Sequence, residues 1–236
     1  MKTQLKVLAL FFALLFAPNK ILHAQQHKTF KPELTLGVGF GPVFTSIDFE
    51  RKVPQNTTNG FSGGASLRYI TEKHLGILAE LNFAQRGWTE DFSETDFTTH
   101  SYSRTLNYIE LPLMTHIYFG NKVKFVINLG PQISYMFSDS ASMNDELATY
   151  VQDQLEQDPN NPLFLQYESI DNKFDYGLLG GIGIEFDTGI GNFILEGRYY
   201  FGLGDSFDNS RSKVGNFSRS AHRYFGGKLT YYFFSF

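Results

Sequence analysis

The sequence lacks cysteine and also lacks any apolar run long enough to form a transmembrane helix. Without cysteine, neither disulfide bonds nor thiolate metal sites are available. No segment reaches the ~18 consecutive apolar residues that indicate a membrane-spanning helix. The formal net charge is -4, and proteins that bind nucleic acid favour basic surfaces, so nucleic acid is not an expected partner. The chain is rich instead in Phe, Tyr and Gly, with 25, 13 and 22 residues.

Residues 1–24 have the three-part order of a secretory signal peptide. A basic start is followed by an apolar run at residues 7–17 and then by the small residue Ala24. We therefore predict export, with cleavage after Ala24 and Gln25 as the new N-terminus. No cysteine follows the run, so no lipoprotein anchor is expected. Loss of the signal, which holds three lysines and no acid, lowers the formal net charge from -4 to -7.

Period-2 alternation runs through the rest of the chain and predicts β-strands. In residues 75–86, every second side chain from Leu75 to Phe83 is apolar, and most of those between are small or polar. Most predicted strands have 11 residues or more, whereas strands of soluble domains usually have about 5–6 and tilted membrane-crossing strands about 9–11. The eight predicted strands are 33–43, 60–70, 75–87, 105–119, 123–137, 173–186, 192–203 and 221–234.

The connections between these strands alternate between long and short. Outer-membrane barrels have short periplasmic turns and longer outer loops, whereas a soluble β-sandwich, the other class considered, gives no reason for this alternation. We therefore predict an all-β fold for residues 25–236: an eight-stranded antiparallel up-and-down transmembrane β-barrel in the outer membrane, with periplasmic termini and its aromatic face toward lipid. The long connections are about 44–59, 88–104, 138–172 and 204–220, and the short ones are 71–74, 120–122 and 187–191.

The third long connection, residues 138–172, is predicted to contain a short helix at 143–157, capped by Ser142. Its apolar side chains recur every four residues, as on one helix face. The connection holds eight acidic residues and no Lys or Arg. Two interpretations stay open: a solvated acidic surface, or a surface that binds a divalent ion or a protein partner. The recurring side chains are Met143, Leu147, Val151 and Leu155.

Four segments, in order along the chain, resemble a known family. They are 79–88 (AELNFAQRGW), 106–113 (LNYIELPL), 128–134 (NLGPQIS) and 174–183 (FDYGLLGGIG). Together they are similar to the PorT-type outer-membrane β-barrel family of Bacteroidota, over essentially the whole mature chain. The resemblance implies an outer-membrane barrel and implies no shared activity. One member type is linked to type IX protein secretion, and no residue here carries that role over.

Eleven titratable side chains are predicted to point into the barrel, on the small, glycine-rich face of the strands. Burying an unpaired charge is costly, so these side chains must pair or contact water. Eight strands enclose an interior just wide enough for side chains to fill. We therefore predict an ionic plug that stabilises the barrel core, with an ion or proton pathway as the alternative. The predicted lumen network is Arg68, Glu80, Arg86, Glu110, His116, Lys124, Asp175, Glu185, Glu196, Arg198 and Lys228.

The short turns allow the register of two strand pairs to be predicted. If Tyr69 faces Leu75 and Phe186 faces Phe193, each long charged side chain in these pairs meets a glycine. A glycine has no Cβ, so it leaves lumen volume for the charged group. The predicted pairs are Arg68–Gly76, Glu80–Gly64, Glu196–Gly183 and Arg198–Gly181.

No catalytic, cofactor or metal site is predicted. Ser220 and His222 lie two residues apart near a strand end, but no acid at a matching spacing accompanies them, and the common hydrolase and phosphate-loop motifs are missing from the sequence. Aromatic side chains near strand ends, Trp88 and Tyr102 among them, are candidates for the girdles at the membrane interfaces. Phe236 is predicted to be the signal read by the barrel-insertion machinery, with ordinary lipid contact as the alternative.

These observations predict a non-enzymatic outer-membrane protein with a structural or partner-binding role in the envelope, including a role in a secretion complex. Its expected partners are outer-membrane lipid, the insertion machinery and a protein bound through residues 138–172. The alternative is a small porin-like channel or transport protein.

Overall fold

The computed structural model describes residues 30–93, 97–158, 162–207 and 219–235. The predicted signal peptide, its cleavage site at Ala24 and Gln25, and the predicted assembly signal Phe236 lie outside the described residues. The described strands are β1 (Glu33–Glu50), β2 (Gln55–Asn56), β3 (Thr58–Glu72), β4 (Leu75–Glu90), β5 (Tyr102–Gly120), β6 (Val123–Met143), β7 (Phe174–Thr188), β8 (Gly191–Asp205) and β9 (Arg219–Ser235).

These strands form one closed antiparallel sheet. The order is β2-β4-β3-β1-β9-β8-β7-β6-β5, and pairing of β4 with β5 closes the ring. β2 is only a two-residue strand beside the end of β4, so the barrel wall has eight strands. The predicted fold, an eight-stranded antiparallel up-and-down barrel, is confirmed.

The barrel strands have 15 to 21 residues and are longer than predicted. Most of the extra length lies at the end of the barrel that carries the long connections, which we call the long-connection end. The opposite, short-turn end has three two-residue turns. Gly120 and Gly191 flank two of these turns with φ of +118° and +137°, values at which a side chain would be strained.

The outward face of the strands is apolar across the middle of the barrel, and we call these outward-facing apolar side chains the lipid belt. On β5, for example, Ile109, Leu111 and Leu113 are 45% to 48% exposed. Soluble monomers rarely expose continuous apolar surface on this scale, whereas the lipid-facing band of a membrane barrel is built this way. On β4 the belt ends at Phe83, because the next outward position is Gln85.

Helix α1 (Asp145–Gln157) lies between β6 and β7, within the predicted helical range. Its N-cap is Asn144, whose side chain accepts a hydrogen bond from the Leu147 backbone N–H at 3.3 Å. The predicted cap, Ser142, is wrong because β6 continues to Met143. A 3-10 helix at Pro162–Tyr167 follows α1. Among the described residues, no helix combines the length and the apolar character needed to cross a membrane.

The predicted register between β3 and β4 is wrong by two residues. The pairing is irregular between Ile70 and Glu72, where the extra residue Thr71 interrupts the ladder. Glu72 already pairs with Leu75, so the turn is shorter than predicted and moves the register by three residues, while the bulge moves it back by one. As a result, neither Arg68 nor Glu80 faces a glycine on the neighbouring strand. The observed pairs are Tyr69–Ile77, Arg68–Leu78 and Ser66–Glu80.

The predicted register between β7 and β8 is confirmed. Phe186 pairs with Phe193 across the two-residue turn, and the ladder continues without a bulge. Each of the two long charged side chains of β8 therefore faces a glycine of β7. These pairs are Glu196–Gly183 and Arg198–Gly181.

Candidate functional site

The eleven side chains named from the sequence as a lumen network all lie inside the barrel. Ten belong to residues at most 9% exposed, and the side chain of Lys124, at the short-turn mouth, is 19% exposed. Apart from His116, they comprise five cations and five carboxylates, which form three successive groups along the barrel. We call these groups the lower, middle and upper layers, counted from the short-turn end.

The lower layer is built around Glu185. Its carboxylate accepts hydrogen bonds from Arg68 at 2.8 Å, from Lys124 at 3.0 Å and from Asn192 at 2.8 Å. The Arg68 guanidinium also lies 4.2 Å from the centroid of the Tyr232 ring. Two cations on one carboxylate give this layer one excess positive charge.

The middle layer joins Glu80 and Glu196 to two cations. Arg198 donates to both carboxylates, at 2.8 Å to Glu80 and 2.7 Å to Glu196. Lys228 donates to Glu80 at 2.8 Å and to Asn82 at 2.9 Å. The layer is therefore electrically balanced. His116 lies between the lower and middle layers, since its Nδ1 contacts the Asn128 Oδ1 at 2.7 Å while Asn128 donates to Glu196 at 2.6 Å.

The upper layer centres on Arg86, whose guanidinium pairs with Glu110 and with Asp175, the latter at 2.7 Å. Aromatic rings surround the same guanidinium at 4.7 to 4.9 Å from its central carbon, a distance at which cation–π attraction operates. One cation and two carboxylates give this layer one excess negative charge, so the three layers together are neutral. The surrounding rings are Tyr108, Tyr200 and Tyr224.

The described interior holds little free space. A cavity of about 20 Å³ lies between the middle and upper layers, lined in part by Asn82, Glu110 and Arg198. A second space of about 40 Å³ lies at the short-turn mouth beside Arg68 and Lys124. A water molecule needs at least about 10–15 Å³ by this measure, so these spaces hold a few waters at most. Side chains fill the lumen, as expected for an eight-stranded barrel.

A hydrophobic cluster, which we call the cap, lies above the upper layer at the long-connection end. Trp88 and Tyr102 are fully buried in it, so neither is the interfacial girdle residue that the sequence suggested. The rim of the barrel, α1 and the segments after β6 and β8 all contribute. The buried members are Ile47, Phe49, Trp88, Tyr102, Leu106, Tyr108, Met136, Leu147, Val151, Phe164, Ile170 and Phe207.

Polar contacts tie the segment that follows α1 to the barrel rim. Tyr167 donates its hydroxyl hydrogen to Glu90 at 2.8 Å, and Tyr102 donates to the Gln166 carbonyl oxygen at 3.2 Å. Arg104 pairs with Asp139 and also donates to the carbonyl oxygens of this segment. Neither Glu90 nor Arg104 was predicted as an interior residue, because both fell in the predicted connection 88–104. Continuing the strand alternation past Arg86 and Glu110 would have identified them.

Glu90 titrates at an unusual pH for a carboxyl group. It lies seven positions beyond Phe83, the last belt residue of β4, and therefore outside the lipid belt. Burial raises the pKa of the Glu90 carboxyl to about 7, although hydrogen bonds from Tyr167 and Gln166 act in the opposite direction. Burial and the neighbouring Glu90 also raise the pKa of the Tyr167 hydroxyl. The cap therefore contains a group that changes charge near neutral pH.

Ser220 and His222 make separate structural contacts inside the barrel end. Ser220 Oγ accepts from the Phe207 backbone N–H at 3.0 Å, and His222 Nε2 contacts the Tyr108 hydroxyl at 3.0 Å. Their exposures are 0% and 1%, so a substrate at the surface would not reach them. Within the described residues, no group of three or more His, Asp or Glu is placed to hold a metal ion.

In a comparison with known proteins, residues 23–208 match a family model described as "Outer membrane protein beta-barrel domain". No curated protein matches the chain. The solved structure of Ail, the attachment invasion locus protein of Yersinia pestis, is 13% identical and aligns over 86% of this chain and 100% of that chain, with a TM-score of 0.40. Neisserial surface protein A is 10% identical over 84% of this chain and 96% of that chain, with a TM-score of 0.38. At these values no activity is transferred from either protein.

Proposed function

Because the chain belongs to the outer membrane protein beta-barrel domain family, we propose that it is a non-enzymatic envelope protein whose barrel is closed and whose long-connection end faces the cell exterior. The barrel lies in the outer membrane. The observation that carries the proposal is the filled interior, in which three ion-paired layers lie beneath a hydrophobic cap. The orientation is supported by the two-residue turns at the opposite end, since periplasmic turns are short.

Conductance in planar lipid bilayers tests whether the barrel is closed. The purified chain is refolded in detergent and inserted under an applied voltage, beside a known porin as the positive control. We expect no large stable channels, because ion-paired side chains occupy the lumen and the two spaces beside them measure only about 20 and 40 Å³. Large stable channels in the wild-type protein would overturn the proposal and favour a small porin-like channel or transport protein.

A closed barrel acts through its exposed surface, and α1 is the part of that surface proposed to bind a partner. The helix carries exposed carboxylates, and its last turn has no basic residue. Such a face suits a basic protein surface through complementary charge. A component of a secretion complex is one such partner, in keeping with the PorT-type motifs. The exposed carboxylates of the helix are Asp145, Glu146, Asp153 and Glu156.

Pull-down from native outer membranes tests this surface. The variant replaces the four exposed carboxylates of α1 by their amides, and Glu50→Gln, an exposed carboxylate on β1, is the matched control. We expect a partner that binds the wild type and the control, is lost from the helix variant, and dissociates as salt is raised. Recovery of the same proteins with the helix variant would show that the acidic face is only a solvated surface.

A further inference from the structure

A groove of about 690 Å³ opens on the lipid-facing wall of the barrel, across β6, β7, β8 and β9. This volume is in the range of about 300–1,000 Å³ typical of small-molecule sites. The side chains that line the groove are apolar where they face outward. Among them are Leu129, Leu178, Ile182, Tyr199, Phe201 and Phe225.

Two glycines in the groove are not required by close packing. A Cβ at Gly197 would meet no atom within 4 Å, and a Cβ at Gly180 would meet only the Leu129 side chain at 3.6 Å. Interior Gly183 is different, because its Cβ would lie 2.3 Å from the Leu195 carbonyl oxygen. The glycines of the groove therefore leave an open depression in a surface that could otherwise carry side chains.

Two arginines lie at the long-connection end of the groove, on the same outward face. The Arg223 guanidinium is 3.8 Å from the centroid of the Phe201 ring, and that of Arg219 is 5.6 Å from it. Phe201 also lines the groove, so the cations adjoin it directly. Both arginines pair with Asp48, at 3.2 and 3.3 Å, and Glu50 lies opposite Arg219 in the strand register.

The position of the arginines matches the boundary of the lipid belt. Outward positions on β9 run from Leu229 through Gly227 and Phe225 to Arg223, so the cation follows the last apolar side chain. The Arg219 side chain is 39% exposed and can contact a ligand in the surrounding leaflet. An apolar groove that ends at two guanidinium groups matches a molecule with a hydrocarbon chain and an anionic head.

We propose that this face binds one phosphorylated lipid of the leaflet at the long-connection end, with an acyl chain in the groove and a phosphate at Arg219 and Arg223. Arginine suits this role because its planar guanidinium matches phosphate geometry and donates several hydrogen bonds. A free phosphate would leave the groove unfilled, and an uncharged hydrocarbon would leave the arginines unused. The choice of a lipid of the outer leaflet rests on the proposed orientation of the barrel, whereas a closed lumen is not required, so channel conductance would not argue against the site.

Native mass spectrometry of the full chain in a neutral detergent tests the site, with diphosphoryl lipid A as the probe. Two control ligands separate the two parts of the probe. Diacylglycerol has acyl chains but no phosphate, and inorganic phosphate has the charge but no acyl chain. We expect one tightly bound lipid A, weaker binding of diacylglycerol and no retained phosphate. Gly197→Leu fills the groove and Arg219→Gln removes the exposed cation. Each should weaken lipid A binding about tenfold, the loss expected for a charged hydrogen bond or a buried hydrocarbon contact.

Matched controls change the same chemistry elsewhere on the barrel. Ala65→Leu places the same side chain at an outward position of β3, and Lys52→Gln removes an exposed cation near the long-connection end. Both should bind lipid A as the wild type does, and a heat-modifiability shift on gels confirms that every variant is folded. Equal binding by the wild type, Gly197→Leu and Arg219→Gln would overturn the proposal. A dimer that Gly197→Leu dissociates, with no bound lipid, would also overturn it by assigning the groove to a second copy.

Discussion

Closure of the cap should depend on pH through Glu90. The closed cap buries this carboxyl and raises its pKa to about 7, whereas in an opened cap it is solvated and titrates near its ordinary value of 4.5. Below that ordinary value the group is protonated in both states, and closure has its full stability. As pH rises toward 7, the open state loses its proton first, so closure becomes less favourable.

The size of this effect follows from the two pKa values of Glu90. Each pKa unit corresponds to about 1.4 kcal/mol. Moving the carboxyl from 4.5 to about 7 therefore weakens closure by about 3 kcal/mol once the pH exceeds the higher value. Glu90→Gln keeps an oxygen that accepts from Tyr167 and removes the ionisation. Below about pH 4.5 the cap of the variant should be as stable as that of the wild type. Above about pH 7 it should be more stable than the wild-type cap.

Hydrogen–deuterium exchange of residues 162–170 measures cap opening, with intrinsic exchange rates corrected for pH. Between about pH 4.5 and about pH 8, opening of the wild-type cap should increase by about a hundredfold, and that of Glu90→Gln should change little. Glu50→Gln is the matched control, since Glu50 is exposed at the end of β1, and it should keep the wild-type response. A wild-type cap that is equally protected at both pH values would refute this reasoning, as would a Glu90→Gln cap that keeps the pH response.

Three further changes test the lumen and the chain end. Arg86→Met leaves the buried Glu110 and Asp175 carboxylates without a cation, and should lower the free energy of unfolding in urea by about 3–5 kcal/mol. Gly183→Val places a Cβ against the neighbouring strand, and should lower the folded fraction on gels after refolding. Deletion of Phe236 should reduce assembly in the outer membrane of cells without reducing refolding into detergent.

Each of these changes has a control. In the Arg86→Met background, replacing Glu110 by Gln and Asp175 by Asn removes the unpaired charges and should recover part of the lost stability. An Arg86→Met protein as stable as the wild type would contradict a stabilising role for these ion pairs. Gly197→Val, where a Cβ meets no atom, should refold normally. Phe236→Tyr keeps a terminal aromatic and should assemble, whereas normal assembly after deletion would assign Phe236 to lipid contact.

The sequence was sufficient to predict the eight strands, because the wall of a barrel has two different surroundings. Lipid selects apolar side chains on one face and the narrow lumen selects small or charged ones on the other, so the alternation is strong. It was not sufficient for the register between β3 and β4. There the strands continue to a two-residue turn, with Glu72 paired to Leu75 and a bulge at Thr71, and no composition signal distinguishes this arrangement from a longer turn.

The lumen residues could be named from strand parity, but their partners could not. Arg86 pairs with Asp175, which lies 89 positions away in the sequence, and this contact depends on the register of several strands. The cap was missed for a different reason. Trp88 and Tyr102 lie where strands extend beyond the belt, and a short stretch of alternation within a predicted loop does not show which face is buried.

The most direct test of the filled lumen uses the cysteine-free sequence. Ser66→Cys places the only thiol of the chain inside the barrel, at a residue 1% exposed and 3.2 Å from Glu80. Ser140→Cys places it on the exposed end of β6 instead. With a charged, water-soluble methanethiosulfonate reagent, the filled lumen predicts rapid labelling of the Ser140→Cys protein and none of the folded Ser66→Cys protein until urea unfolds it. Labelling of both folded proteins at similar rates would contradict a lumen filled by side chains.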